Sequence, residues 1–202
     1  MIEKEYIEKV LAHFEGRAIQ RGYVPCKGGT FYGSIDCGEP LGASGVTVAT
    51  GVDLGQQTRR GLLSMGISER TVAALAPYIG LKKTEAVERL RAAPLALTPE
   101  QVAEIDNAVH NRYIEEAALL FGPDAFAAAP KEAQAVAVSL HYQFGEPRRP
   151  ASPALALAWE AMRLGKYVRA AAYLRDANLW SEPHRAYMNR RRQEAAILEA
   201  VI

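Results

Sequence analysis

The sequence predicts an α+β fold in which a small glycine-rich β lobe precedes a larger alanine-rich helical body. Three observations carry this. Twelve of the 16 glycines fall between Gly16 and Gly66, whereas 24 of the 35 alanines lie after residue 102. Glycine serves turns and close backbone approach; alanine is the best helix former. The early apolar runs are β-branched or aromatic and bounded by glycine, while the later ones recur at helical spacing.

Taken in order, Ile2, Tyr6, Ile7, Val10, Leu11 and Phe14 line one face of a helix over 2–14, with Glu3, Lys4, Glu8 and Lys9 on the other and Gly16 as its stop. Gly22-Tyr-Val-Pro25 and the segment from Cys26 to Cys37 read as loop. Residues 30–35 and 46–52 read as short strands. From Thr58 onward the pattern predicts helices over 58–65, 68–77, 83–92, 99–121, 131–143, 153–164, 166–176 and 184–200, punctuated by Gly80, Gly122, Gly145 and Gly165. Ser68 and Thr98 suit helix N-caps, and Thr98-Pro-Glu-Gln101 sets proline in the first turn and glutamine three residues after the cap. The proline-rich stretch 145–153 is a loop. No internal repeat interrupts the pattern. Residues 1–202 are therefore expected to form one domain, about 16–66 as the β lobe and 1–15 with 67–202 as the helical body, with a cleft between them.

Composition excludes several classes. The formal charge is +1, from 24 basic and 23 acidic residues, and the chain is 49% apolar. That is too apolar for a disordered chain and too neutral for a whole-surface polyanion binder, so no nucleic-acid partner is expected. No apolar run approaches 18 residues and the charged N-terminus lacks a signal-peptide core, so neither membrane insertion nor N-terminal export is expected. Cys26 and Cys37, 11 apart, fit either a local disulfide formed in an oxidising compartment or two free thiols. His13, His110, His141 and His184 lack metal-ligand spacing. No metal and no cofactor is expected, and the chain is expected to be a monomer.

Candidate chemistry gathers around the glycine-rich segment. Glu15 ends the first helix, where the helix dipole disfavours an ionised carboxylate, a setting that suits a proton donor. The plainer reading is an exposed helix-end glutamate. In Ser44-Gly-Val-Thr47-Val-Ala-Thr50-Gly-Val-Asp53-Leu-Gly55, strand alternation puts Thr47 on a face with Ala49 and Gly51, facing open space, and puts Asp53 at the strand exit. A hydroxyl beside a carboxylate can hold and activate water; the plainer reading of Asp53 is a turn residue. Ser44 and Ser139 have no evident base, so nucleophilic serine chemistry is unsupported. The run Arg190–Arg192 lies among Glu182, Glu194 and Glu199, and Trp159 and Trp180 read as core.

A helix ending in Glu15-Gly16, then Gly22-Tyr-Val-Pro25, then the 44–55 segment resembles the phage-type (T4-like) lysozyme superfamily, and most closely the pesticin-type muramidase domain. Ser139-Leu-His-Tyr-Gln-Phe-Gly145, Ser152-Pro-Ala-Leu and Leu164-Gly-Lys-Tyr are similar to its helical lobe, and Asn189-Arg-Arg191-Arg-Gln-Glu194 resembles its closing helix. The resemblance spans about residues 5–200. It implies a lysozyme-like muramidase that cuts the β-1,4 bond between N-acetylmuramic acid and N-acetylglucosamine. Glu15 matches the general acid, and Thr47 and Asp53, six residues apart, match the pair that positions water. In the T4 type the aspartate precedes the threonine, which leaves Asp36 or Glu39 as alternates, and this chain carries a longer insert holding both cysteines. An acid and base roughly 6.5–9.5 Å apart would invert the anomeric centre. Tyr142 and Gln143 are the implied sugar-binding residues, and one arginine of the basic run the implied anchor of the last helix. The implied partner is the peptidoglycan glycan strand. Synthesis in the cytoplasm and action in the periplasm or cell wall follow, by phage lysis or by a secretion system. A secreted effector would imply a cognate immunity protein. The dozen or so residues before Glu15 favour these routes over a bacteriocin with its own receptor domain. The competing readings are a non-catalytic peptidoglycan-binding module, a chitinase or lytic transglycosylase, and an alanine-rich interaction domain.

With a charge of +1, wall recognition should owe little to long-range attraction. Activity on cell walls is expected to hold from low to moderate ionic strength. A turbidity assay in which it collapses over that range would contradict this.

Overall fold

In the computed structural model, which describes residues 1–16, 18–33, 38–146 and 153–201 apart from the Pro183 side chain, the first helix is α1 (Lys4–Glu15). It stops where Gly16 takes a φ of 85°, a left-handed conformation that glycine adopts without penalty. Four strands follow: β1 (Ile19–Cys26), β2 (Gly29–Phe31), β3 (Thr47–Ala49) and β4 (Val52–Asp53). They form an antiparallel sheet in the order β2-β1-β3-β4. The stretch from Gly22 to Pro25, expected as loop, is thus the middle of the longest strand. Its two punctuating residues have other uses. Gly22 donates its N–H to the Leu95 carbonyl at 2.9 Å, and a Cβ there would sit 2.9 Å from that of Leu95. Pro25 needs no N–H, because it pairs with Thr30 and its carbonyl takes the Leu41 N–H at 2.9 Å. The strand expected over 46–52 is two, folded back at a turn in which Ala49 and Gly51 have φ of 52° and 82°.

The helices that follow are α2 (Arg59–Ser64), α3 (Glu69–Leu75), α4 (Lys83–Ala92), α5 (Pro99–Phe121), α6 (Pro123–Ala128), α7 (Lys131–Phe144), α8 (Pro153–Arg163), α9 (Tyr167–Arg175), α10 (Glu182–Arg185) and α11 (Met188–Glu199). The expected caps are real. Ser68 accepts the Thr71 N–H, and Thr98 and Gln101 exchange hydrogen bonds at 3.2 and 3.0 Å as a capping box. Two helices differ from expectation. Gly122-Pro123, which reads as a turn, places proline at the first turn of α6. The helix expected over 184–200 breaks after α10, where the Tyr187 N–H bonds the His184 carbonyl at 3.0 Å in a tightened last turn. Among the described residues, no helix is long and apolar enough to cross a membrane.

Residues 15–112 form one compact unit, and residues 1–14 with 113–202 form the other. The sheet-bearing unit therefore runs past the boundary near residue 66 that glycine content suggests. Its strands explain why: besides the Leu95 bond, the Leu97 N–H reaches the Gln20 carbonyl at 2.8 Å, and Lys83 that of Ser44 at 2.8 Å. The Asp106 carboxylate takes both the N–H and the hydroxyl of Thr50, each at 2.9 Å. Residues 80–106 satisfy strand backbone that 16–66 alone would leave unpaired.

The helical unit is organised around α7, whose residues Ala133–His141 are all buried, the mark of a helix surrounded by protein. Trp159 and Trp180 are core residues, as expected, at 5% and 2% exposure. Inside this core sits an ionic cluster. Glu194 is fully buried, accepts from the Ser139 hydroxyl at 2.6 Å, and pairs with Arg191, also fully buried, at 2.8 Å and with Arg190 at 3.3 Å. The Arg191 guanidinium lies 5.0 Å from the Phe144 ring and 5.5 Å from that of Trp180, and the Arg190 guanidinium lies 4.7 Å from the Phe14 ring. Burial pushes the Glu194 carboxyl above the usual carboxylate range, against the opposing pull of Arg191, Ser139 and Arg190. Removing one partner of such a pair leaves an uncompensated charge. Glu194→Ala is expected to destabilise the protein by about 3–5 kcal/mol, read from urea unfolding; a loss below about 1 kcal/mol would mean the pair behaves as if exposed.

Candidate functional site

The site is built on two backbones that nearly touch. A Cβ on Gly45 would lie 2.6 Å from the backbone of Gly55 and 2.5 Å from the Leu81 carbonyl, and one on Gly55 would lie 2.9 Å from Gly45 and 2.7 Å from the same carbonyl. Only glycine fits at both positions. Their contact brings both N–H groups onto one oxygen: Asp53 Oδ1 accepts from Gly45 at 3.0 Å and from Gly55 at 2.8 Å. Asp53 thereby caps the 3₁₀ turn Leu54–Gln56, so the plainer reading of it as a turn residue is correct for Oδ1. Oδ2 accepts no hydrogen bond among the described residues.

The strand register then sets Asp53 beside its neighbours. Thr47 is paired with Asp53 on one side and Tyr23 on the other, so the three share one sheet face across β1, β3 and β4. Thr47 is only 5% exposed, so it does not face open space as its small neighbours suggest. The turn at Ala49–Gly51 folds β4 back beside it, and its hydroxyl lies 3.5 Å from the Gly45 carbonyl. Tyr23 is half-buried and its ring packs 5.8 Å from that of Tyr32. Burial chiefly, then Tyr32, Glu15 and Asp53, hold the phenol above its ordinary pKa. Both carboxylates thus act on one phenol. Glu15, half-buried, is the last residue of α1.

Sequence reasoning missed Tyr23, because Gly22 and Pro25 disguise its strand. The signal was the alternation of Gly22, Val24 and Cys26, all buried, with Tyr23 between them. Of the alternates for the second carboxylate, Glu39 is exposed and bonded to Lys27 at 2.6 Å, and that hydrogen bond and charge hold its carboxyl below the usual range. Asp36 lies outside the described residues, as does the pairing of buried Cys26 with Cys37. Tyr142 and Gln143 lie on α7 in the helical unit. Tyr142 packs 4.6 Å from the Tyr113 ring, and the Gln143 carbonyl accepts from Arg191. Among the described residues, no cluster of three or more His, Cys, Asp or Glu is placed to hold a metal ion. His13 meets Gln193, His141 meets Glu116 and His184 meets Ser181.

The pesticin family, described as a bacterial toxin homologue of phage lysozyme, C-term, matches residues 2–158. The chain belongs to the pesticin family. No curated protein matches it. The part of this pesticin-family chain that matches contains Glu15, Tyr23, Thr47, Asp53, Tyr142 and Gln143, and it ends inside α8. The Arg190–Glu194 cluster lies beyond it.

The glycine contact gives a direct test. Gly55→Ala must separate the two backbones and is expected to lose about 1–3 kcal/mol in thermal unfolding. Gly29→Ala, where an added Cβ meets nothing within 4 Å, is expected to stay within about 0.5 kcal/mol. Equal effects would mean the close approach is not a constraint.

Proposed function

We propose that the protein is a peptidoglycan hydrolase, a muramidase that cleaves the β-1,4 bond between N-acetylmuramic acid and N-acetylglucosamine. The observation supporting this reading is the row Tyr23–Thr47–Asp53, with the Glu15 carboxylate acting on the same phenol, in a chain of a phage-lysozyme homologue family. In the proposed reaction Glu15 gives its proton to the glycosidic oxygen as the bond to the anomeric carbon breaks. Asp53 and Thr47 hold a water on the opposite face, and Asp53 takes its proton as the oxygen attacks. The backbone pin on Oδ1 fixes the carboxylate and leaves Oδ2 to face that water. Hydrolysis then proceeds with inversion, yielding a new reducing end. Tyr142 and Gln143 are proposed as glycan-binding residues. Release by phage lysis or injection by a secretion system, the latter with a protective partner protein, belongs to the same proposal, as does action in the periplasm.

The experiment is product analysis on purified sacculi. Wild type is expected to release muropeptides with reducing ends, and Glu15→Gln and Asp53→Asn each to lose about 10²–10⁴-fold in rate. Glu39→Gln is expected to match wild type, its carboxylate being committed to Lys27. Products ending in 1,6-anhydro sugars would replace hydrolysis by a transglycosylase, since they form when no water attacks. Undiminished cleavage by Glu15→Gln would remove the assigned acid.

A further inference from the structure

Tyr23 stands out on this sheet face because its side chain is half-buried while its hydroxyl makes no hydrogen bond among the described residues. Its ring is nevertheless well placed. The β1 ladder shifts register between Ile19 and Tyr23, the kind of irregularity that re-aims a side chain. Tyr32 packs against the ring at 5.8 Å, with the Arg21 guanidinium 6.0 Å from Tyr32 in turn. The pairing through Thr47 sets the phenol one strand from the hydroxyl and two from Asp53, distances of roughly 5 and 10 Å that a tyrosine side chain and a sugar ring together can span.

We infer that Tyr23 is a substrate-binding residue of this site, its phenol donating a hydrogen bond to an oxygen of the sugar held between Glu15 and Asp53. This rests on the muramidase reading. Two considerations select a sugar, rich in oxygen acceptors. Burial chiefly, with the neighbouring Tyr32, Glu15 and Asp53, keeps the phenol in its protonated, donating form. The ring itself offers an apolar face to sugar C–H groups beside a polar tip, the combination that makes tyrosine suited to surfaces part apolar and part wet.

Tyr23→Phe removes the donor and keeps the ring. In a Glu15→Gln background, where turnover is blocked, it is titrated with the tetrasaccharide of alternating N-acetylglucosamine and N-acetylmuramic acid and followed by calorimetry. The dissociation constant is expected to rise about fivefold to tenfold, the size of one net hydrogen bond, with the melting temperature unchanged. In the parent Glu15→Gln protein the tyrosine ¹³Cζ resonance of Tyr23 is expected to move on saturation with the same tetrasaccharide. Equal affinity with and without the hydroxyl, in proteins that both bind, would overturn the role of Tyr23 and leave the muramidase reading standing. A wild-type protein that neither binds nor cuts the tetrasaccharide would overturn that reading, and this inference with it.

Discussion

The sheet-bearing unit depends on one steric fact: the backbones at Gly45 and Gly55 approach too closely for any side chain. The fixed carboxylate of the proposed site follows from that contact. It lets a single carboxylate oxygen collect two N–H groups, and so turns a flexible aspartate into a fixed one. It also seats both segments on the Leu81 carbonyl, which ties the strands to the chain running through residues 80–106. A carboxylate fixed by backbone donors loses little on meeting a ligand, because its ordering has been completed during folding.

The helical unit meets a different constraint. It buries a full ion pair, Arg191 with Glu194, and supplies both with further partners from α7 and from aromatic rings. Such a cluster contributes little net stability compared with an apolar replacement, yet it tolerates few arrangements. Arg190, Arg191 and Glu194 come from one turn of α11, while Ser139 and Gln143 come from one turn of α7. The cluster therefore sets how these two helices are rotated toward each other, which a purely apolar contact specifies loosely.

Much of this was legible in the sequence, and the exceptions share a cause. Most of the expected helices, the Thr98–Gln101 capping box and the end of α1 at Glu15 depend on neighbours within a few residues and appear in the structure where the pattern puts them. The burial of Trp159 and Trp180 follows from size and apolarity alone. What failed was the meaning of glycine and proline. Gly22 serves contact with Leu95, Pro25 sits in a paired strand, and Gly122-Pro123 starts a helix. Gly22 and Pro25 are used for contacts outside their own turn, with Leu95 and Leu41, while Gly122-Pro123 is used locally as a helix start. The same blindness hid Tyr23, whose neighbours Thr47 and Asp53 are more than 20 residues away. Asp53 was readable both as a turn residue and as chemistry; its two oxygens accommodate both readings.

The stretch shared with the pesticin family stops at residue 158, within α8, yet α9 and α11 pack on each other and on α8 and α7. The stretch matched by the family and the stretch that folds as a unit are therefore different lengths of chain. Residues beyond 158 supply Arg191, Glu194 and Trp180, all buried, and Arg191 and Glu194 bond Gln143 and Ser139 of α7. A chain cut at residue 158 would leave those α7 groups without their partners, so the boundary of a foldable piece is set by the core and not by the extent of the family match.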